Sequence, residues 1–87
     1  MKHYIAQIRD TYGEFEFNTT VLIRATDETI EEELAEVCAC WYSEDEPTQP
    51  DADDYYEHPN GFISCVDWYR EISEATFNEL KPLIGAY

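Results

Sequence analysis

Two stretches near the amino terminus alternate between apolar and polar positions. One face of residues 14–24 carries Phe15, Phe17, Thr19, Val21 and Ile23. A period of two is typical of a strand with one buried face. Residues 3–9 show the same alternation through Tyr4, Ala6 and Ile8, and Gly13 lies between the two stretches, where a short turn needs a positive φ angle. The pattern predicts a β-hairpin.

The period changes to that of a helix after residue 26. Apolar residues recur at helical spacing, at Ile30, Leu34, Val37, Cys38 and Trp41. This is the stripe of an amphipathic helix. Thr26 or Asp27 would suit its N-cap, and Thr29 with Glu32 matches a capping box. We expect a helix over about 27–42.

The remaining residues predict a long loop, a third strand and a short helix. Residues 43–60 contain three Pro and seven carboxylates, which oppose regular structure. Residues 61–72 are apolar on both faces, as in a strand that is covered twice or meets a partner at an edge. Ser73 is a good N-cap for a helix over about 74–81, interrupted near Pro82.

Together these elements predict a single α+β domain over residues 1–87 in the order ββαβα. The expected sheet has three antiparallel strands in the order 2-1-3. The long helix packs on one face of the sheet, and the C-terminal helix is short.

Charge narrows the possible functions. The 87 residues include 20 Asp and Glu but only 5 Lys and Arg, a net charge of −15. Such a chain is repelled by a nucleic-acid backbone and by an anionic membrane. No apolar run is long enough for a spanning helix, and residues 1–7 lack the core of a signal peptide. Three Cys without an export signal predict reduced thiols and a cytoplasmic protein.

The acidic residues are concentrated in one region. Residues 27–57 hold 13 of the 20 acids and no Lys or Arg. Glu28, Glu32 and Glu36 follow each other at i, i+4, where like charges repel by about 0.2–0.5 kcal/mol per pair. One interpretation is that the charge keeps the protein soluble. The other is that a row of carboxylates takes the place of phosphates on a surface rich in Lys and Arg.

The second interpretation selects candidate contact residues. Tyr is a common interface anchor, and a tyrosine pair lies among the acids of the loop. The predicted partner-binding residues are Glu28, Glu32, Glu36, Asp45, Asp53, Asp54, Tyr55 and Tyr56.

Metal and catalytic chemistry find little support. A calcium loop counted from Asp51 has Tyr56 where Gly is needed and Phe62 where Glu is needed. Cys38 and Cys40 are two apart on a predicted helix and point in different directions, which disfavours a shared zinc ion. Gly is too sparse for a phosphate-binding loop, and only two His are present. We expect no enzyme activity and no cofactor.

Two segments carry a resemblance at the level of a protein class. Residues 8–16 (IRDTYGEFE) and 70–74 (REISE) are similar to segments of small phage proteins that begin with a hairpin. In size and charge the chain resembles the acidic inhibitors of phages and mobile elements, the anti-CRISPR and anti-restriction proteins. The resemblance implies occlusion of a basic surface on a nucleic-acid-handling complex of a bacterial host, without catalysis. It transfers no individual residue.

Two alternatives stay open. The first is an ordinary protein–protein adaptor that uses an aromatic edge strand through Phe62, Trp68 or Tyr69. The same strand also suits a homodimer, which is compatible with either function.

Overall fold

The computed structural model describes every residue from Met1 to Tyr87. The elements, in chain order, are β1 (Lys2–Tyr12), β2 (Phe15–Ala25), α1 (Ile30–Ala39), β3 (Tyr56–Glu57), β4 (Ile63–Ile72) and α2 (Glu74–Ile84). The strands form one antiparallel sheet in the order β2-β1-β4-β3. The α+β class and the central place of β1 are therefore confirmed, but the sheet has four strands where three were predicted.

The β1–β2 hairpin extends beyond the part of the sheet that is covered by the hydrophobic core. Pairing runs from Lys2 with Ala25 to Tyr12 with Phe15, and Gly13 in the turn has φ +59°. Burial of the predicted apolar face holds only near the open end of the hairpin. Phe15 and Phe17 near the tip are 67% and 51% exposed, because no helix reaches that far along the sheet.

Helix α1 is shorter than the sequence predicts. It begins at Ile30, so Glu28 lies in the preceding turn and not on the helix. The predicted capping box is wrong, because the Thr29 hydroxyl turns back to the Thr26 backbone N–H at 3.1 Å. The predicted apolar stripe is confirmed, since its members Ile30, Leu34 and Cys38 are buried against the sheet.

The predicted loop 43–60 contributes a strand. Tyr56 pairs with Ser64 and Glu57 with Ile63, which forms β3 at the edge of the sheet. Tyr56 is only 6% exposed and belongs to the main hydrophobic core. Burial of this one large side chain brings the chain back to the sheet despite its Pro and carboxylate content.

The two helices cover opposite faces of the sheet. Ser73 caps α2 as predicted, accepting from the Thr76 backbone N–H at 3.1 Å. The ring of the fully buried Phe77 lies 4.8 Å from His3 and beneath the Arg24 guanidinium. Residues of β1 alternate between the two faces of the sheet, so His3 lies on the other face from Tyr4 and the core under α1.

The predicted relative lengths of the two helices are wrong. Helix α2 has 11 residues and α1 has 10, so the C-terminal helix is not the short one. Pro82 lies inside α2, in its last turn, where it removes only one ladder bond. The Gly85 N–H still donates to the Lys81 carbonyl at 2.8 Å, so the helix continues to Ile84.

Neither helix has the length and apolar character needed to cross a membrane.

Candidate functional site

A buried chain of hydrogen bonds fastens the acidic segment 43–60 to the sheet. Thr48 Oγ1 lies 2.8 Å from His58 Nδ1, and His58 Nε2 lies 3.0 Å from Ser64 Oγ. Ser64 donates to Asp10 Oδ1 at 3.0 Å, and Tyr42 donates to the other Asp10 oxygen. The segment is thus held from both sides of its acidic stretch.

The hydrogen bonds require a proton on Nε2 of His58. Ser64 has a single hydroxyl proton, which goes to the carboxylate of Asp10, so His58 must donate to Ser64 from Nε2. Burial lowers the pKa of His58 below its ordinary value of 6.5, which favours the neutral imidazole at physiological pH. Nδ1 of the neutral ring accepts from the Thr48 hydroxyl.

The Ser, His and Asp of this network are not wired as a nucleophile. In a catalytic triad the histidine accepts the serine proton and the carboxylate orients the histidine. Here the carboxylate takes the serine proton directly, and Ser64 is completely buried. The network therefore supports structure and offers no accessible attacking oxygen.

A tight turn directly before β3 limits this strand to two residues. Asp51 Oδ1 accepts from the Asp53 and Tyr55 backbone N–H groups at 2.8 and 3.0 Å. Asp54 has φ +62°, a left-handed conformation that Asp tolerates better than most residues. This turn diverts the chain away from β4 and places its acidic side chains at the end of β3.

A groove of about 770 Å³ lies between α1, this turn and β4. We call it the α1–β4 groove. Its walls are residues 31, 32, 34 and 35 of α1, and residues 53–56 close one end. Five consecutive residues of β4, 65–69, form its floor together with Arg9, whose side chain projects from the face of the sheet away from α1.

The α1–β4 groove combines negative charge with aromatic side chains. Its carboxylates are those of Glu31, Glu32, Asp53, Asp54 and Asp67. The only cation is Arg9, whose guanidinium is already 3.6 Å from Asp67 and 3.6 Å from Glu16. Tyr55, Trp68 and Tyr69 are 39%, 41% and 38% exposed. Acidic and aromatic groups together favour a cationic ligand.

Tyr69 is fixed in place by an acidic residue. Its hydroxyl donates to Glu31 Oε1 at 3.2 Å, across the groove from β4 to α1. Burial and this hydrogen bond raise the pKa of Tyr69 above 10.0. The phenol is therefore neutral at physiological pH and leaves the negative charge on Glu31.

The structure brings four of the eight predicted contact residues together on this groove as accessible groups: Glu32, Asp53, Asp54 and Tyr55. Tyr56 is a correction, because its ring is buried in the core and supports the groove from below. Glu36 lines a second groove of about 590 Å³ with Glu33, Glu44 and Trp41. Glu28 and Asp45 are exposed but line neither groove.

Sequence reasoning missed other residues of the site. Glu31 and Asp67 were not candidates, although both line the α1–β4 groove. Asp67 sits at a β-bulge, marked by the register shift of β4 opposite Gln7 and Ile8. The imperfect alternation of residues 61–72 was the signal for that bulge.

The cysteines do not converge on a metal site. All three are free thiols, and no group of three or more His, Cys, Asp and Glu side chains is arranged to hold a metal ion. Burial raises the pKa of Cys38 to about 12, so its thiol stays protonated.

Comparison with protein-family models, with curated proteins and with solved structures finds no match for this chain.

Proposed function

We propose that the protein is a non-catalytic inhibitor that binds a basic, nucleic-acid-binding surface of a host defence complex. The anti-CRISPR-like mode would be mimicry of nucleic acid, in which carboxylates occupy the positions of phosphates. The observation that carries the proposal is the concentration of 13 acids, without a Lys or Arg, in residues 27–57. A CRISPR effector or another nucleic-acid-handling complex is the favoured target.

The arrangement of these acids supports a defined surface. The acids of α1 and of the turn at 53–54 come from separate parts of the chain, yet they meet at the α1–β4 groove. The anchors at Thr48, His58 and Tyr56 hold the acidic segment in position before a partner arrives. A preorganised surface loses less entropy on binding than a loose chain.

Electrostatics also favours fast capture. A charge of −15 on a small domain attracts a basic partner from a distance and raises the association rate. Arg side chains of the partner would grip carboxylates bidentately, as they grip phosphate.

The test is reversal of three exposed acids. In Glu28→Lys/Glu32→Lys/Asp53→Lys, none of the replaced side chains makes a hydrogen bond or ion pair within the protein. The matched control reverses Glu14, Glu74 and Glu79, which are exposed acids outside residues 27–57. Both variants change the net charge equally, so only the first should lose the partner.

The measurement is capture from a lysate of a bacterium that carries a CRISPR effector, followed by salt elution and mass spectrometry. We expect one nucleic-acid-handling complex that is released by its own DNA or guide RNA and by rising ionic strength. Equal capture by the first variant and the wild type would contradict the proposal.

A second candidate is the adaptor function. It is favoured by Trp68 and Tyr69, which are exposed on opposite faces of β4 beside the α1–β4 groove. An adaptor that binds through these aromatics would hold its partner at high salt. Its affinity would fall on Trp68→Ala and change little on reversal of Glu28, Glu32 and Asp53.

A further inference from the structure

Strand β4 has an unpaired edge beyond Ser64. Its inner edge pairs with β1 along most of its length, but on the outer side β3 pairs only with Ile63 and Ser64. The His58 N–H donates to the Phe62 carbonyl at 2.8 Å, so the backbone groups of Phe62 point outward. By the alternation of a strand, those of Ser64 and Val66 also point outward. Ser64 has Tyr56 opposite it, and Val66 has no partner.

The turn at Asp51–Asp54 creates this vacancy. A longer β3 would have placed Asp54 opposite Val66, but Asp54 adopts φ +62° and the chain leaves the sheet. The α1–β4 groove occupies the space that the strand would have filled, which is why residues 65–69 form its floor. The groove is therefore shaped for an extended chain.

The charges around this edge select one occupant. Glu31 and Glu32 lie on the α1 side, Asp53 and Asp54 at the end of β3, and Asp67 on the strand itself. A second copy of the protein would bring another −15 against these carboxylates. An extended segment rich in Arg or Lys would instead neutralise them.

We propose that an extended, cationic segment of the partner protein adds to the outer edge of β4, in the α1–β4 groove. This inference rests on the proposed function, since it names the part of the basic partner that enters the site. Val66 would exchange backbone hydrogen bonds with the added strand. Every second side chain of that strand would face the acids of α1, and those between would lie on the side of Trp68.

The direct test compares two peptides of equal charge. The first is an alternating Arg-Val octapeptide, which can form a strand. The second is the same octapeptide with an N-methyl group on the backbone nitrogen of each arginine, which keeps the charge but lacks the N–H groups that would face Val66. We expect the wild-type protein to bind the Arg-Val peptide about tenfold more tightly by calorimetry, a difference of about 1.4 kcal/mol.

The protein side of the test is Val66→Pro, with Val66→Ala as the control for the lost side chain. Pro is tolerated at a strand edge where its missing N–H faces solvent. Relative to Val66→Ala, it should weaken the Arg-Val peptide about tenfold and leave the N-methylated peptide unchanged. Should Val66→Pro fail to fold, amide exchange in the wild type decides: the Val66 N–H must exchange more slowly in the Arg-Val complex.

Each other outcome overturns the inference. Equal binding of both peptides, with no protection of the Val66 N–H, would mean that charge alone binds the partner and would leave the proposed function intact. If neither peptide binds, the result counts against both proposals. A rise to dimer mass on light scattering without peptide would assign the edge to a second copy.

Discussion

At the scale of single residues, His58 decides how the acidic segment is held. It is 3% exposed and joins Thr48, in the acidic segment, to Ser64 on β4. Ser64 and Tyr42 complete the network by satisfying the Asp10 carboxylate. A buried polar group that loses its partner costs about 1–3 kcal/mol. One imidazole therefore couples the order of a surface segment to the core.

His58 should make the stability of the protein depend on pH. Burial lowers its pKa in the folded state below 6.5, so the unfolded chain binds more protons as the pH falls. The contribution of neutral His58 is complete above the unfolded pKa of about 6.5 and is lost as the pH falls through the folded pKa. Relief of carboxylate repulsion acts in the opposite direction, which requires a reference variant.

That reference is His58→Asn, measured by urea unfolding at pH 7.5 and at successively lower pH. We expect it to cost about 1–3 kcal/mol at pH 7.5 and progressively less at acidic pH. A difference between wild type and variant that stays constant or grows on acidification would show that His58 is not held neutral.

At the scale of elements, each helix is secured by a different device. Helix α1 has no side-chain cap, and the three acids of its first turn face the favourable end of the helix dipole. Helix α2 has the Ser73 cap and carries Phe77 into a contact with His3. The sequence signals for the two N-termini looked alike, and only the second was used.

The Ser73 cap should be measurable by itself. Ser73→Ala removes the acceptor for the Thr76 N–H and should lower the free energy of unfolding by about 0.5–2 kcal/mol. Ser73→Asp keeps an acceptor oxygen and should stay close to the wild type. Thermal unfolding by circular dichroism distinguishes the two, and equal losses in both variants would argue against a capping role.

At the scale of the whole molecule, charge opposes folding. The protein gathers most of its acids on α1, its flanking turn and the segment 43–60, whereas Arg9, Arg24 and Arg70 lie on the opposite face of the sheet. Net charge this far from zero destabilises the compact state through self-repulsion.

Salt should therefore stabilise the protein. The screening length falls from about 30 Å at 0.01 M to about 3 Å at 1 M ionic strength. We expect Tm to rise between these limits, by about 4–8 °C for each kcal/mol of repulsion relieved. The triple variant of Glu28, Glu32 and Asp53 should show a smaller rise. A Tm that falls with added NaCl would mean that ion pairs such as Lys2–Asp27 dominate.

The local pattern of the sequence determined the hairpin, the apolar stripe of α1 and the Ser73 cap, because each depends on residues a few positions apart. It also determined the net charge of −15 and its concentration in residues 27–57. Glu32, Asp53, Asp54 and Tyr55 were predicted as contact residues from the clustering of acids and the tyrosine pair, and the structure brings them to one groove.

Only the tertiary structure decided that the side chains of Tyr56 and His58 face the core. Their burial depends on Ser64 and Asp10, 54 positions apart in the chain yet 3.0 Å apart in space, which no local periodicity records. The long-range pairing with β4 forms β3, and the local turn before it, at Asp51–Asp54, leaves the edge of β4 open. These few buried contacts decide whether the acidic segment forms a groove. The sequence carries the charge, but the packing decides where the charged side chains lie.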